Sequence, residues 1–284
     1  MIKYEWRNAL SRPEADELAG LLTRAAAYDA EAGYNSIDFA DVERSMAAAD
    51  SLDRHLLIWM LPHAIAMDEP NAPECIAGLL RLAGAASGSA QATAVIDPGL
   101  RSIGIMTLLL EQVGLDTAGA AGWLGTGAHT ITSWARGNHP ASGRLSNRFL
   151  IPRTRRVWQL ICGTDSGVDV AAPVLERIGS DGGPRYALRE GGSVVGWAML
   201  NRQPVLSEGL GDCVVVDRID AAASAPPGGL RRLLDGVVAV AGEAGLAGAI
   251  VHVDSDDTRL VNAARLAGFH HDRTDVRYQL GGSS

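Results

Sequence analysis

The chain reads RTRRVWQL at residues 153–160 and RTDVRYQL at residues 273–280, so four of eight aligned residues are identical at an offset of 120. The same offset places AVID at 94–97 over VVVD at 214–217, and GLLR over AMLN in the strand before each. Chance matching of short apolar strands is the alternative explanation. One offset that serves three segments in the same order favours an internal duplication.

Apolar spacing predicts a similar order of elements in both copies: a meander of three strands, then a helix, a strand, a helix and a strand. An additional helix is expected at the start of the chain. In the first copy the expected ranges are helix 14–32, strands 55–61, 74–83 and 91–97, helix 103–113, strand 129–135, helix 141–149 and strand 153–161. In the second copy they are strands 185–189, 194–201 and 212–219, helix 230–244, strand 249–254, helix 258–267 and strand 274–280.

The small, polar residues 163–173 have the composition of a linker between the two copies. We therefore expect an α/β protein of two tandem domains, residues 1–165 and 166–284. Each is expected to be a twisted mixed β-sheet flanked by helices.

Composition narrows the class of function. The 284 residues are 47% hydrophobic and 20% charged, which is typical of a globular protein. The net charge of −8 argues against nucleic acid and anionic membranes as partners. The N-terminus lacks the pattern of a signal peptide, so we expect a cytoplasmic protein. Three cysteines without CxxC spacing give no support for a metal site, and we expect none.

The segment DPGLRSIGIMTLLLE, at residues 97–111, follows the third strand of the first copy and leads into a helix. Such a loop exposes the first backbone N–H groups of the helix, which carry partial positive charge and can hold a pyrophosphate. Gly104 would let the backbone approach a phosphate closely. Arg101 would add charge-assisted hydrogen bonds, and a surface charge is the alternative explanation of this arginine.

At these residues the sequence resembles the Gcn5-related N-acetyltransferase (GNAT) superfamily, whose phosphate loop reads Arg/Gln, two residues, Gly, one residue, Gly/Ala. Arg101 and Gly104 match this loop, whereas Met106 stands where Gly or Ala is usual. The tandem repeat and the ending DVRYQL extend the resemblance to the mycothiol synthase family, which acetylates a cysteine amine with acetyl-CoA. The resemblance implies two GNAT-type domains, the second shortened at its start. It also implies an acetyl-CoA or other acyl-CoA co-substrate bound by the first copy at Ile96, Arg101, Ser102, Ile103, Gly104, Ile105, Met106 and Thr107.

The second copy departs from the family at positions that carry chemistry there. Ala225 stands where the loop arginine belongs, and Pro226 and Pro227 remove two N–H donors. Ala264 stands where the family has a tyrosine that protonates the departing thiolate. Asp212 matches the family's general-base carboxylate and is our candidate catalytic base; a solvated aspartate at a strand end is the alternative.

The resemblance implies acyl-CoA-dependent N-acetyl transfer to an amine that the sequence does not identify. Because the second copy has lost its loop arginine and its tyrosine, we do not expect synthesis of mycothiol itself. The alternative is a catalytically lapsed paralogue that binds acyl-CoA or a protein partner in a regulatory role, since fold alone does not confer activity.

Overall fold

The computed structural model describes residues 2–60, 74–165, 172–179, 183–222, 225 and 228–282. The chain divides into two compact units. Unit 1 comprises Met1–Thr154 and Val276–Ser284, and unit 2 comprises Arg155–Asp275. Within the described residues, no helix is both long and apolar enough to cross a membrane.

Unit 1 is a mixed sheet with helices on both faces. Its strands run in the order β1-β2-β3-β4-β5-β13, and only the β4–β5 pairing is parallel. Its elements in chain order are β1 (Ile2–Arg7), α1 (Arg12–Asp29), α2 (Phe39–Ala47), β2 (Arg54–Met60), β3 (Cys75–Ala83), β4 (Ser89–Ile96), α3 (Ile105–Val113), β5 (Thr130–Ala135) and α4 (Pro140–Phe149), with the end of β13 (His270–Gly281).

Unit 2 repeats the sheet but not all of the helices. Its strands run in the order β6-β12-β11-β9-β8-β7, with β10 on β11, and only the β11–β12 pairing is parallel. In the described part of 172–222 there is no helix. Its elements are β6 (Arg153–Gly163), β7 (Glu176–Gly179), β8 (Arg185–Glu190), β9 (Ser193–Leu200), β10 (Val205–Ser207), β11 (Gly211–Ala221), α5 (Gly229–Glu243), β12 (Gly248–Asp254) and α6 (Thr258–Leu266).

The compact units divide at other residues than the expected boundary between 165 and 166. The reason is strand pairing. Strand β6, the last element of the first copy, pairs with β12 in unit 2 from Val157 to Gly163. Strand β13, the last element of the second copy, pairs with β5 in unit 1 from Val276 to Gly281. The two copies of the repeat therefore exchange their last strands, and most of the expected linker, residues 166–171, lies outside the described residues.

Local sequence signals explain the opening helix. Ser11 Oγ accepts a hydrogen bond from the Glu14 N–H, and a Glu14 carboxylate oxygen accepts from the Ser11 N–H at 2.8 Å, which forms a capping box. Leu18, Leu21 and Leu22 are buried on one side of α1. They pack with Leu57 and Leu79 of the sheet and so cover one face of unit 1.

The opposite face of unit 1 carries the loop and helices that matter for function. Leu109 and Leu110 of α3 pack with Leu56, Leu80 and Ile131 of strands β2, β3 and β5. Strand β4 contributes alternate residues to the two faces, because side chains of a strand alternate. Its end therefore lies between α1 on one face and α3 on the other.

Candidate functional site

Strands β4 and β5 of unit 1 pair only over their first residues. The parallel pairs run from Ser89 and Thr130 to Ala92 and Ser133. Strand β4 continues to Ile96 and β5 to Ala135 without further pairing to each other. We call the opening between these two strand ends the wedge of unit 1. Backbone groups along its edges are available to an extended ligand that carries amides.

The loop between β4 and α3 forms one wall of this wedge. The Asp97 side chain accepts a hydrogen bond from the Gly99 N–H at 2.9 Å, which starts a short turn. Ser102 and Gly104 then take positive φ angles of 67° and 87°. Gly104 is the N-cap of α3, and no side chain caps the helix. The first amides of α3 therefore form a concave cluster of donors suited to an anion.

Arg101 is engaged inside the protein rather than free for a ligand. Its two terminal nitrogens bond both carboxylate oxygens of Asp29 at 2.6 and 2.8 Å, and its Nε donates to the Ile96 carbonyl at 3.1 Å. The Tyr28 ring lies 5.2 Å from the guanidinium. The hydrogen bond to buried Asp29 raises the pKa of Arg101 above its ordinary value. In this arrangement Arg101 fixes the loop to the end of α1, and its expected contact with phosphate would require this pair to open.

The structure places all eight predicted ligand-binding residues on one strand–loop–helix segment. Ser102, Ile103 and Gly104 are exposed, as a ligand-binding loop requires. The remaining members are more enclosed: Ile105 is buried, and Ile96, Arg101, Met106 and Thr107 are half-buried.

Asp212 is not part of this segment. It lies in unit 2 at the exposed start of β11, where it pairs with Leu206 of β10 and its carbonyl accepts from the Ala247 N–H. Val216 is the last residue of β11 that pairs with β12. At about 3.3 Å per residue, Asp212 stands about 13 Å before that point. Its role as a base stays a prediction, and its position at the start of β11 precedes the point where the strands part.

A set of contacts that sequence reasoning missed lies at the mouth of the unit 1 wedge. The rings of Tyr34 and His139 meet edge to face at 4.4 Å, and Asn35 Oδ1 accepts from the Arg136 N–H at 2.8 Å. His139 Nδ1 accepts from the Ala141 N–H at 3.1 Å, so its Nε2 carries the proton in the neutral ring. Burial, together with nearby Arg101, lowers the pKa of His139. The dipeptide His139-Pro140 at a helix start is the only local signal for this group.

Unit 2 contains a second wedge with the same backbone design. The β11–β12 pairs end at Val216 and Val251, and the strands continue to Ala221 and Asp254. Gly228 is the N-cap of α5, with a φ of 87° and no side-chain cap. Residues Pro226 and Pro227, whose missing donors the sequence singles out, lie outside the described residues.

The charges around the unit 2 wedge differ from those in unit 1. A cavity of about 90 Å³ is lined by Asp220 and Asp257, with Arg259 as its basic residue, and by apolar groups. In the first turns of α5, Arg232 is paired with Glu190, and Arg231 lies 3.6 Å from Asp235. Two carboxylates against one guanidinium disfavour a pyrophosphate at this mouth.

Comparison with solved structures identifies the architecture. A tandem GNAT protein from the clavulanic acid biosynthesis pathway matches with a TM-score of 0.57 at 12% identity, over 100% of both chains. The chain has the tandem GNAT fold. A GCN5-related N-acetyltransferase from Sphaerobacter thermophilus matches with a TM-score of 0.54 at 14% identity, over 98% of this chain and 95% of that one. A GNAT-family acetyltransferase from Colwellia psychrerythraea matches with a TM-score of 0.52 at 11% identity, over 99% of each chain.

The comparisons at the level of sequence add nothing to this result, since no protein-family model and no curated protein matches the chain. At 11–14% identity the solved structures establish the fold alone. The expected fold class is therefore confirmed, and activity must be argued from the residues of the two wedges.

Proposed function

We propose that the protein is an acyl-CoA-dependent N-acetyltransferase and that unit 1 binds the acyl-CoA. One observation carries the proposal: the uncapped N-terminus of α3, with Gly104 left-handed, opens beside the point where β4 and β5 part. The amides of Ile105, Met106 and Thr107 would hold the pyrophosphate, because they are the unpaired donors of the first helical turn. The solved structures of the same fold that are described as acetyltransferases support this proposal.

The rest of the co-substrate would follow the wedge. The end of β4 near Ile96 would pair with the amides of the arm that links the pyrophosphate to the thiol. The acyl thioester would then lie near the last β4–β5 pair, Ala92 and Ser133. A neutral amine would attack the thioester carbonyl, which the wedge would hold in place.

The acceptor is a small-molecule amine whose identity we leave open. The resemblance to the mycothiol synthase family stays a prediction from the sequence. If transfer takes place in unit 2 instead, Asp212 is the predicted base there. Its test is Asp212→Asn, which keeps the size of the side chain and should lower turnover by 10²-fold or more if Asp212 removes the proton from the amine.

A second function, a lapsed acetyltransferase that binds acyl-CoA without turnover or serves as a regulatory protein, is favoured by the Asp29–Arg101 pair. In this pair Arg101, the arginine of the unit 1 loop, is already bound to a carboxylate. Ala264, fully buried in α6, also replaces the tyrosine that the family would place in unit 2. Release of free thiol from acetyl-CoA in the presence of a panel of amines separates the two functions, because only the enzyme predicts turnover.

The binding step can be tested with a pair of variants at Ile103, whose side chain is 59% exposed and therefore dispensable for packing. Ile103→Glu places a carboxylate beside the proposed pyrophosphate, whereas Ile103→Lys places an ammonium there at similar length. By titration calorimetry with CoA we expect one site per chain, at least tenfold weaker binding for Ile103→Glu and unchanged or tighter binding for Ile103→Lys. Equal affinity of both variants would contradict a pyrophosphate at this loop.

A further inference from the structure

The hydroxyl group of Tyr278 is buried without a hydrogen-bond partner. Tyr278 is 6% exposed, and among the described residues no donor or acceptor pairs with its oxygen. Its packing neighbours Ala135, Ile151 and Val276 are apolar. A buried phenol normally finds a partner, because an unpaired polar group in an apolar setting is costly. The described chain therefore supplies no hydrogen-bond partner for this oxygen.

Tyr278 lies next to the point where the unit 1 wedge begins. It belongs to the part of β13 that pairs with β5, and its partner there is Ser133. Ser133 is also the last residue of β5 that pairs with β4. Residues directly opposite in an antiparallel pair project to the same face of the sheet. Helix α4 lies on this face, and a Cβ added to Gly143 would stand 3.9 Å from the Tyr278 oxygen.

The corresponding position in unit 2 shows that the fold does not require a hydroxyl. The offset of 120 residues aligns Tyr278 with Trp158 of β6, and Gly143 with Ala263 of α6. Trp158 packs against the apolar core beneath α5 and α6, of which Ala263 is a member. Both units thus place an aromatic residue under the aligned helices α4 and α6. Of these two residues, only Tyr278 carries an unpaired oxygen.

We propose that the Tyr278 hydroxyl, which α4 covers in this structure, donates a hydrogen bond to the carbonyl oxygen of the acyl thioester when ligand binding in the wedge of unit 1 opens the space beneath α4. This inference rests on the proposed function. In the reaction the amine nitrogen forms a bond to the carbonyl carbon, the C–S bond breaks, and its electron pair leaves on sulfur. The proton of the ammonium group goes to solvent, and Tyr278 keeps its own proton throughout. Its hydrogen bond strengthens as negative charge develops on the carbonyl oxygen.

The C-terminal strand would then complete the site of unit 1 with a residue from the far end of the chain. Because acetyl-CoA has the thioester carbonyl and CoA does not, the two ligands form a matched pair of probes for this contact. Any contribution of Tyr278 to packing or to the pyrophosphate site affects both ligands alike.

The test compares dissociation constants of acetyl-CoA and CoA for wild type and Tyr278→Phe, with Tyr186→Phe in β8 of unit 2 as the control. We expect Tyr278→Phe to weaken acetyl-CoA about tenfold, to leave CoA unchanged and to melt, without ligand, at the wild-type temperature. Tyr186→Phe should change neither constant. Equal effects of Tyr278→Phe on both ligands, or no effect, would overturn this contact while CoA binding to wild type upholds the proposed function. Failure of wild type to bind CoA would overturn both.

Discussion

The two units use one backbone design with different charges. In each, a glycine at a φ of 87° begins a helix without a side-chain cap, next to a pair of parallel strands that separate. In unit 1 the adjacent arginine, Arg101, is neutralised by buried Asp29. In unit 2 the corresponding position is Ala225, and Asp220 and Asp257 line the mouth. The two units therefore share the backbone geometry at the start of this helix, and they differ in the charges around it.

The two units also differ on the face opposite these helices. In unit 1, α1 and α2 cover that face with a cluster that includes Leu18, Leu21 and Val42. In unit 2 a smaller cluster, Ile161, Cys213, Val215 and Ile250 with Leu210, occupies the corresponding face, and its members lie in strands and a turn. In unit 1 the helix α1 on this face supplies Asp29 to the loop, and the described part of unit 2 has no helix in the corresponding cluster.

The largest difference should appear when each unit loses an arginine near its loop. Arg101→Ala leaves the Asp29 carboxylate buried without its partner, which should lower the free energy of unfolding by about 3 kcal/mol. Arg232→Ala removes a more exposed guanidinium from Glu190 and should cost less than about 1 kcal/mol. Urea unfolding of both variants measures these two losses of unfolding free energy. Restoration of most of the lost stability in Arg101→Ala by Asp29→Ala would assign the cost to the unpaired charge, whereas equal small losses would contradict the pairing.

The order of elements was predictable because apolar periodicity is local. Helix α1, expected over 14–32, is confirmed at Arg12–Asp29, and β11, expected over 212–219, is confirmed at Gly211–Ala221. Two elements of unit 1 were missed. Strand β1, IKYEWR, lies at a sheet edge, where polar and charged side chains obscure a strand pattern. Helix α2 is only nine residues long, so its apolar residues span too few turns to establish a helical period.

The contacts of the site were less predictable because they join distant parts of the chain. The loop motif singled out Gly104 for close approach of a phosphate, but the helix expected over 103–113 included it, whereas the structure makes Gly104 the N-cap of α3. Asp29, the partner of Arg101, is 72 residues away in the sequence, and no local pattern predicts this pair. The sequence does not predict the exchange of β6 and β13 between the units either, because both strands have the same apolar pattern. It is this exchange that brings Tyr278 into unit 1.

The helix-covered face of unit 1 should also make stability depend on pH. His55 of β2 is buried with Ser45 Oγ of α2 2.9 Å from its Nε2, and burial lowers its pKa from 6.5 to about 4. Between these values the unfolded chain binds a proton that the folded chain does not, so stability falls as pH decreases from about 6.5 to 4. From pH 7 to 4.5 the loss due to His55 should be about 2–3 kcal/mol.

The measurement is the free energy of unfolding of wild type and His55→Gln at both pH values. The variant removes the titrating ring but keeps a polar group for Ser45, so its loss on acidification should be smaller than that of wild type by this amount. Parallel pH profiles for the two proteins would show that His55 is not the titrating group.

The same substitution at the two glycine N-caps, Gly104 and Gly228, tests the comparison between the two units. Alanine at a left-handed position costs about 1–2 kcal/mol whatever the space around it, and both glycines have open space at the Cβ position. Gly104→Ala and Gly228→Ala should therefore destabilise the protein to a similar degree. Only Gly104→Ala should weaken CoA, by about tenfold, because it displaces the amides of the proposed pyrophosphate site. Weaker binding in Gly228→Ala alone would transfer the site to unit 2.

The smallest expected effect concerns the helix above Tyr278. Gly143 lies inside α4, where glycine is less favourable than alanine by about 0.5–1 kcal/mol, and its added Cβ would meet only the Tyr278 oxygen at an ordinary distance of 3.9 Å. Gly143→Ala should therefore stabilise the protein by that amount. The aligned residue of unit 2, Ala263, is buried in α6, so Ala263→Gly should destabilise by at least as much, since it also removes a packed methyl group. Thermal unfolding of both variants shows whether each substitution stabilises or destabilises the protein. A destabilising Gly143→Ala would show that the space beneath α4 is needed even without ligand, and would remove the equivalence between the two helices on which the comparison of Tyr278 with Trp158 depends.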